Sequence, residues 1–105
     1  MCNCQKIGNA NKKGMQSFNE GRLDDAVSEL QEAITLAGSL GTPIHEAKIR
    51  TNLALVLEFR GLTDAAKAQL RRALEQVEGK IGRANPLHAA ITRQMASVGA
   101  RQVEA

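Results

Sequence analysis

Residues 21–26 read Gly-Arg-Leu-Asp-Asp-Ala, and residues 61–66 read Gly-Leu-Thr-Asp-Ala-Ala. The first glycine and the last alanine of the two stretches match at an offset of 40 residues (61 − 21). The same offset joins two further pairs: Leu30 with Leu70, and Ala33 with Ala73. Because the turn and the spacing of the small residues recur at one fixed offset, the sequence indicates two copies of a helix-turn-helix unit. We expect the copies to bury their apolar faces by stacking on each other.

Glycine and proline divide the rest of the chain into segments of helical length. Their positions predict helices over about residues 5–20, 24–38, 43–60, 64–79 and 86–100. Thr42-Pro43 and Asn85-Pro86 each place a capping residue before a proline at the first helical position. No stretch alternates with the period of two that marks a strand, so the predicted fold class is all-α.

The length of 105 residues fits one domain. Hydrophobic residues make up 43% of the chain but aromatic residues only 2%, so the core must consist of Ala, Leu, Ile, Val and Met. We expect a disordered end over residues 1–4, a single domain over 5–100 and a frayed end over 101–105. The net charge of +3 permits a nucleic-acid or acidic partner. Because the chain has 14 basic and 11 acidic residues, its surface is mixed in charge, and the net charge alone does not identify the class of partner.

The small and large residues of the two copies resemble the pattern of the tetratricopeptide repeat (TPR) family. They stand in the first copy at Gly14, Gly21, Ala26, Leu30 and Ala33, and in the second at Leu53, Ala54, Leu57, Gly61, Ala66, Leu70 and Ala73. The offset of 40 exceeds the usual ~34 residues and is similar to that of the longer-repeat subgroup typified by kinesin light chains. The resemblance implies a TPR-like right-handed superhelical stack of antiparallel helix hairpins, two repeats with a C-terminal capping helix over residues 87–98.

In this family the first helices of the units line a concave groove that holds a peptide. The resemblance implies partner-binding residues at Lys12, Met15, Phe18, Asn19, Lys48, Asn52, Leu55, Phe59 and Arg93. Further residues that map to the same groove are Asn11, Thr51, Glu58, Ala90, Gln94, Ser97 and Arg101. Because the implied groove is mildly basic, we expect a non-enzymatic interaction module that binds a peptide or protein partner and favours acidic ones.

The groove residues include two cases with alternative roles, Asn52 and the pair of phenylalanines. Asn52 matches the family's asparagine that hydrogen-bonds the main chain of a bound peptide, with a solvated surface asparagine as the alternative. Phe18 and Phe59 either grip a partner or pack between the repeats. The chain departs from the family at Ala10 and Arg50, where large aromatic residues are expected. Its carboxylate clamp is also missing, since the clamp positions hold Asn11, Met15, Ala90 and Gln94, so we expect no binding of chaperone tails.

Nucleic-acid binding is the alternative function. Helix-turn-helix geometry and basic residues of the convex face could contact phosphates: Arg71, Arg72, Lys80 and Arg83. A solvated charged face explains the same residues equally well. Self-association is a further possibility that the sequence leaves open.

The sequence lacks recognisable enzyme motifs and signals for secretion or membrane insertion. It has no Gly-rich phosphate loop, no histidine pair at i, i+4 and no nucleophile motif, so we expect no catalysis and no cofactor. Cys2 and Cys4 form an incomplete ligand pair, so we expect reduced thiols and no metal site. His45 and His88 are expected at the surface or in helix caps. No apolar run approaches the ~20 residues of a membrane span, and no secretory signal is apparent, which predicts a cytoplasmic protein.

Overall fold

The computed structural model describes the backbone of residues 3–104 and the side chains of residues 5–98 and Ala100. Five α-helices follow one another: α1 (Asn3–Asn19), α2 (Leu23–Ser39), α3 (Pro43–Phe59), α4 (Thr63–Ile81) and α5 (Pro86–Glu104). No strand occurs within this backbone range, so the predicted all-α class is confirmed. Among the described residues, no helix has both the length and the apolar character needed to cross a bilayer.

The helices at both ends of the chain are longer than predicted. The predicted helices run over about residues 5–20 and 86–100, whereas α1 begins at Asn3 and α5 continues to Glu104. Ile7 is 2% exposed, so its burial anchors the first turns of α1 against the core. Met1, Cys2 and Ala105 lie outside the described residues, as does the side chain of Cys4. The expected state of the two thiols therefore stays a prediction.

One type of turn ends both α1 and α3. After α1, the Gly21 amide donates to the Phe18 carbonyl at 3.0 Å, and the Arg22 amide donates to the Ser17 carbonyl at 2.9 Å. Gly21 has a φ of +81°, a left-handed conformation that glycine adopts without steric cost. Gly61 repeats the φ of +81° and the same pair of hydrogen bonds after α3. The turn that recurs in the sequence therefore recurs in the structure.

Each helix packs against the next one along the chain, because links of three or four residues turn it back on its predecessor. The helix crossings are made by small residues, of which Ala26, Ala33, Ala66 and Ala73 are fully buried. Gly14 is the extreme case, since a Cβ atom built on it would lie 2.7 Å from Cγ of Leu30. The backbone of α1 thus approaches α2 more closely than a side chain at residue 14 would allow.

Arg50 occupies a position where the TPR pattern expects a large aromatic residue. Its guanidinium donates to Glu46 Oε2 from Nε (3.0 Å) and Nη2 (2.7 Å), and to Gln69 Oε1 from Nη1 (2.6 Å). The Arg50 and Glu46 side chains are 17% and 12% exposed. Gln69 belongs to α4, and Oε1 of Glu46 faces Gly38 of α2. A nearly buried polar cluster therefore joins α3 to α4 close to Gly38 of α2.

The N-terminal caps of α3 and α5 differ from each other. Asn85 Oδ1 accepts a hydrogen bond from the His88 amide at 2.8 Å, so the predicted cap of α5 is confirmed. Thr42 is the N-cap residue of α3, but its hydroxyl makes no capping bond and donates to the Ala37 carbonyl at 3.1 Å. The predicted capping bond of Thr42 is therefore wrong. The short α2–α3 link brings Thr42 against the Ala37 carbonyl at the end of α2, which accepts from both the amide and the hydroxyl of Thr42.

α5 is seated by apolar side chains and by one polar contact with α4. Ile91 and Val98 are fully buried. The His88 Nε2 atom lies 2.8 Å from Glu78 Oε2, and the His88 side chain is only 17% exposed. His45 is exposed, as expected, and the His88 amide takes part in the cap of α5, but the His88 imidazole is largely buried against Glu78. The α4–α5 turn brings the Glu78 carboxylate to the imidazole, a contact that sequence spacing does not reveal.

The first testable prediction concerns the close approach at Gly14. We expect Gly14→Ala to lower the free energy of unfolding by about 1–3 kcal/mol, because the added methyl group overpacks against Leu30. Gly8→Ala is the matched control, since a Cβ atom on this glycine of the same helix meets nothing within 4 Å. It should raise stability by about 0.5–1 kcal/mol through helix propensity alone. Urea unfolding measures the free energy of unfolding of both variants. If both were more stable than wild type, the close approach of α1 to α2 at Gly14 would be contradicted.

The second prediction concerns pH. The hydrogen bond from His88, aided by the charges of Arg83 and His88, holds the pKa of Glu78 below its ordinary value against the opposing effect of burial. Because its pKa is lower in the folded state, Glu78 contributes to the free energy of unfolding in full above its pKa in the unfolded state, about 4.3. This contribution is lost as the pH falls through the pKa of the folded state. We expect the loss of unfolding free energy between pH 7 and about pH 3 to be smaller in Glu78→Gln than in wild type. Glu75→Gln, on the same helix at a side chain 69% exposed, should retain the wild-type loss. Equal losses in all three proteins would contradict the role of Glu78.

Candidate binding surface on α1, α3 and α5

α1 and α3 lie side by side and touch at two levels. Asn52 Nδ2 donates to Asn11 Oδ1 at 2.9 Å. Two helical turns further along, the rings of Phe18 and Phe59 meet edge to face, with centroids 5.2 Å apart and planes at 83°. Both pairs are 41 residues apart (52 − 11 and 59 − 18), so residue numbers rise in the same direction along the two helices. α1 and α3 are therefore parallel neighbours.

α5 is joined to α3 by a side-chain hydrogen bond. Gln94 Nε2 donates to the main-chain carbonyl of Thr51 at 2.9 Å. Thr51 and Asn52 are adjacent, so the contacts from α1 and from α5 reach α3 at one level. α1, α3 and α5 thus form a three-helix surface that is tied together by side-chain amides.

The predicted binding residues differ in their exposure on this three-helix surface. Lys12, Asn19, Lys48 and Arg93 are exposed, whereas Met15, Phe18, Asn52 and Leu55 are half-buried. Phe59 is 56% exposed, the largest value among the exposed large hydrophobic side chains of the described residues. The structure brings Phe18 onto Phe59, and it brings Asn52 onto Asn11 rather than onto another predicted binding residue.

The exposed charged side chains among the predicted binding residues are all basic. Lys12, Lys48 and Arg93 make no ion pair with any described side chain. α1 carries three lysines and no acidic residue, whereas α2 carries four acidic residues and no basic one. Lys13 of α1 lies 3.8 Å from Glu29 of α2, but the described carboxylates of α2 form no ion pair with Lys12, Lys48 or Arg93.

Two hydrogen-bonding roles were missing from the sequence-based choice of site residues. Asn11 and Gln94 map to the groove, but only the structure shows that each ties its helix to α3. The relevant signal is the offset of 41 between Asn11 and Asn52, one residue more than the repeat offset of 40. Equivalent residues of the two copies therefore do not face each other, and alignment of the copies alone pairs Asn11 with Thr51.

Depressions elsewhere in the described part of the chain lie away from these contacts. One of about 520 Å³ runs between α1 and α2 and is lined by Lys6, Ala10, Glu32, Thr35, Leu36 and Ser39. The other, of about 450 Å³, lies at the first turn beside Arg22, Asp24 and Arg60. No three His, Cys, Asp or Glu side chains converge as a metal site within the described residues.

Neither a protein-family model nor a curated protein matches the chain. The properties of the three-helix surface are therefore the basis for assigning a function.

The third prediction tests the amide bond between α1 and α3. Asn52→Ala removes it, and Asn9→Ala makes the same substitution at an exposed asparagine of α1. We expect Asn52→Ala to unfold with about 1 kcal/mol less free energy than Asn9→Ala, because both gain helix propensity but only one loses a hydrogen bond. Urea unfolding measures the difference. Equal stabilities would show that this bond does not hold the helices together.

Proposed function

We propose that this protein is a non-enzymatic module that binds a peptide or protein segment on its three-helix surface. We further propose that its two helix pairs and α5 stack in the right-handed superhelix of TPR proteins, with this surface as the concave side. The parallel packing of α1 on α3, at one offset for both contacts, supports the proposal most directly. Because of this packing, the three-helix surface has a polar level at Asn11 and Asn52 and an apolar level at Phe18 and Phe59.

The two levels suit a polypeptide partner. Asn52 and Phe59 are seven residues apart on α3, which places them about 10 Å from each other along the helix. Leu55 and Met15 occupy intermediate positions on α3 and α1 and are half-buried. A peptide could therefore present its main chain to the amides and an apolar side chain to the aromatic pair.

The charges of the surface support an acidic partner. Lys12, Lys48 and Arg93 are exposed and lack ion pairs with described side chains, so their field acts on an approaching ligand. Such exposed charges raise association rates and bias partner choice more than they add affinity. The proposed partner is thus a segment with acidic residues, recognised through main-chain and apolar contacts.

Nucleic-acid binding is supported less well. Arg72 Nη1 lies 3.7 Å from Glu75 Oε1, and Arg83 Nε lies 3.5 Å from Glu78 Oε2. These carboxylates reduce the positive field that phosphates would meet. The basic residues of the convex side are therefore partly neutralised, in contrast to those of the three-helix surface.

The fourth prediction concerns binding itself. We expect the protein to bind a sequence-selective subset of an array of random peptides of about 12 residues. Phe59→Ser should weaken binding of a selected peptide by about fivefold or more, because it removes the most exposed apolar side chain of the surface. Ile81→Ser is the matched control, since Ile81 is 50% exposed but lies at the end of α4. Fluorescence anisotropy of the labelled peptide measures the Kd of each variant.

Salt dependence separates this function from nucleic-acid binding. Peptide binding should weaken only modestly between about 50 and 200 mM salt, whereas release of counterions from a nucleic acid would weaken it by orders of magnitude. Micromolar binding of a labelled duplex or single strand, lost on Arg71→Ser and Arg72→Ser but not on Phe59→Ser, would replace the peptide function with the alternative. An array without any selective peptide would contradict the proposed function.

A further inference from the structure

We infer that the depression between α1 and α2 binds the side chain of an arginine from a partner polypeptide. This α1–α2 depression has a volume of about 520 Å³ and is lined by Lys6, Ala10, Glu32, Thr35, Leu36 and Ser39. None of these residues makes the contacts that define the three-helix surface. The inference therefore concerns a second site with a different ligand, and it does not rest on the proposed function.

The second helix pair shows which side chain occupies the equivalent place. At the repeat offset of 40 residues, Ala10 of α1 corresponds to Arg50 of α3. The Arg50 side chain extends from α3 to α4, where its Nη1 atom donates to Gln69 Oε1 at 2.6 Å, and it is only 17% exposed. In the first pair, the methyl group of Ala10 leaves this space open, and the α1–α2 depression lies beside it. The first pair therefore lacks the long cationic side chain that packs between the helices of the second.

The polar side chains that α2 contributes to the α1–α2 depression accept hydrogen bonds. Thr35 Oγ1 donates to the Gln31 carbonyl at 3.1 Å, and Ser39 Oγ donates to the Leu36 carbonyl at 2.9 Å. Because each hydroxyl proton is already used, only lone pairs remain for a ligand. The Glu32 carboxylate also accepts, and it makes no ion pair with a described side chain. The ligand must therefore donate, as a guanidinium does with its five N–H groups.

A second carboxylate stands at the position equivalent to the acceptor of Arg50 on α4. Gln69 corresponds to Glu29 of α2, so the first pair has a charged acceptor in place of an amide. Glu29 Oε1 accepts from Ser17 at 2.6 Å, whereas Glu29 Oε2 lies 3.8 Å from Lys13 Nζ, which is too far for a hydrogen bond. Hydrogen bonds between a guanidinium and a carboxylate are stronger than those to a neutral amide. The substitution therefore favours a guanidinium in the first pair.

Apolar contacts suit the stem of an arginine but not a wholly apolar side chain. Ala10 and Leu36 are half-buried and give the α1–α2 depression an apolar floor, against which three methylene groups can pack. A leucine or methionine on this floor would desolvate the Glu32 carboxylate without replacing its hydrogen bonds to water, which is costly. An arginine covers the floor with its stem and satisfies the carboxylate with its head.

Lys6 is the one cation among the lining residues and opposes a cationic ligand. Its side chain is exposed and makes no ion pair with a described side chain. The lysine stem can therefore line the wall while the ammonium group stays in water. Because the ammonium still repels a guanidinium, removing the charge of Lys6 should strengthen binding. The same change would weaken the binding of an anionic ligand, so Lys6 distinguishes the two classes of ligand.

The experiment uses a capped Gly/Ser peptide of about 12 residues with one central arginine. It is titrated into isotope-labelled protein, and the Kd is obtained from the NMR shifts of the Ala10 and Leu36 amides. Matched peptides carry citrulline, leucine or glutamate at the centre. We expect a Kd of about 1–10 mM for arginine, as befits a single side chain. Citrulline has the same shape without the charge, and it should bind at least about fivefold more weakly, as should leucine.

Variants test the site from the side of the protein. Ala10→Arg supplies the missing side chain within the chain itself and should weaken binding by about tenfold or more. Asn9→Arg is the matched control, with the same added charge at the adjacent exposed position, and should bind within about twofold of wild type. Glu32→Gln should weaken binding about three- to fivefold, whereas Lys6→Gln should strengthen it about twofold.

Each other result would overturn the inference. Equal binding of the leucine and arginine peptides would show an apolar depression without selectivity for a guanidinium. Binding of the glutamate peptide that Lys6→Gln removes would show a site for an acidic group. Phe59→Ser should leave the Kd of the arginine peptide unchanged, since a loss would place the peptide on the three-helix surface. Absence of shifts at Ala10 and Leu36 up to about 20 mM peptide would exclude the site. The peptide series uses the wild-type protein, so it remains decisive if a variant fails to fold.

Discussion

The close approach of paired helices is the constraint on which the rest of the structure depends. Helix backbones can come this near only where the crossing residue is small, and here the crossings use fully buried alanines and Gly14. A chain with 2% aromatic residues lacks large side chains to fill wider gaps. Short distances between helices therefore let Leu30, Leu70 and similar aliphatic residues complete a dense core.

Stacking gives equivalent residues of the two copies different surroundings. The second helix pair touches helices on both sides, α2 and α5, whereas the described part of the first pair touches the second pair alone. Leu53 is 1% exposed, but Lys13 at the equivalent position is exposed. Ser17, which corresponds to Leu57, is fully buried and donates to Glu29 at 2.6 Å. A polar group can be buried there because a carboxylate satisfies it.

The three-helix surface follows from the same packing. Each α-hairpin returns the chain to the starting direction, so the first helices of successive units lie parallel. The two copies repeat at an offset of 40 residues, but the side chains of α1 and α3 that touch are 41 residues apart. A residue of α1 therefore meets the residue that follows its equivalent in α3. That shift joins Asn11 to Asn52 and Phe18 to Phe59. Side-chain amides of Asn52 and Gln94 thus hold the surface together.

The sequence by itself determined the helices, their turns and the small residues at the crossings. Gly21 and Gly61 signalled the turns because only glycine adopts their φ without strain, and Ala26 and Ala66 signalled the crossings through their spacing. Only the tertiary structure decided which polar groups meet: Arg50 with Gln69, His88 with Glu78, and Asn11 with Asn52. Local patterns encode conformation through interactions between near neighbours. Contacts between separate helices depend on small shifts in packing, which a single sequence does not specify.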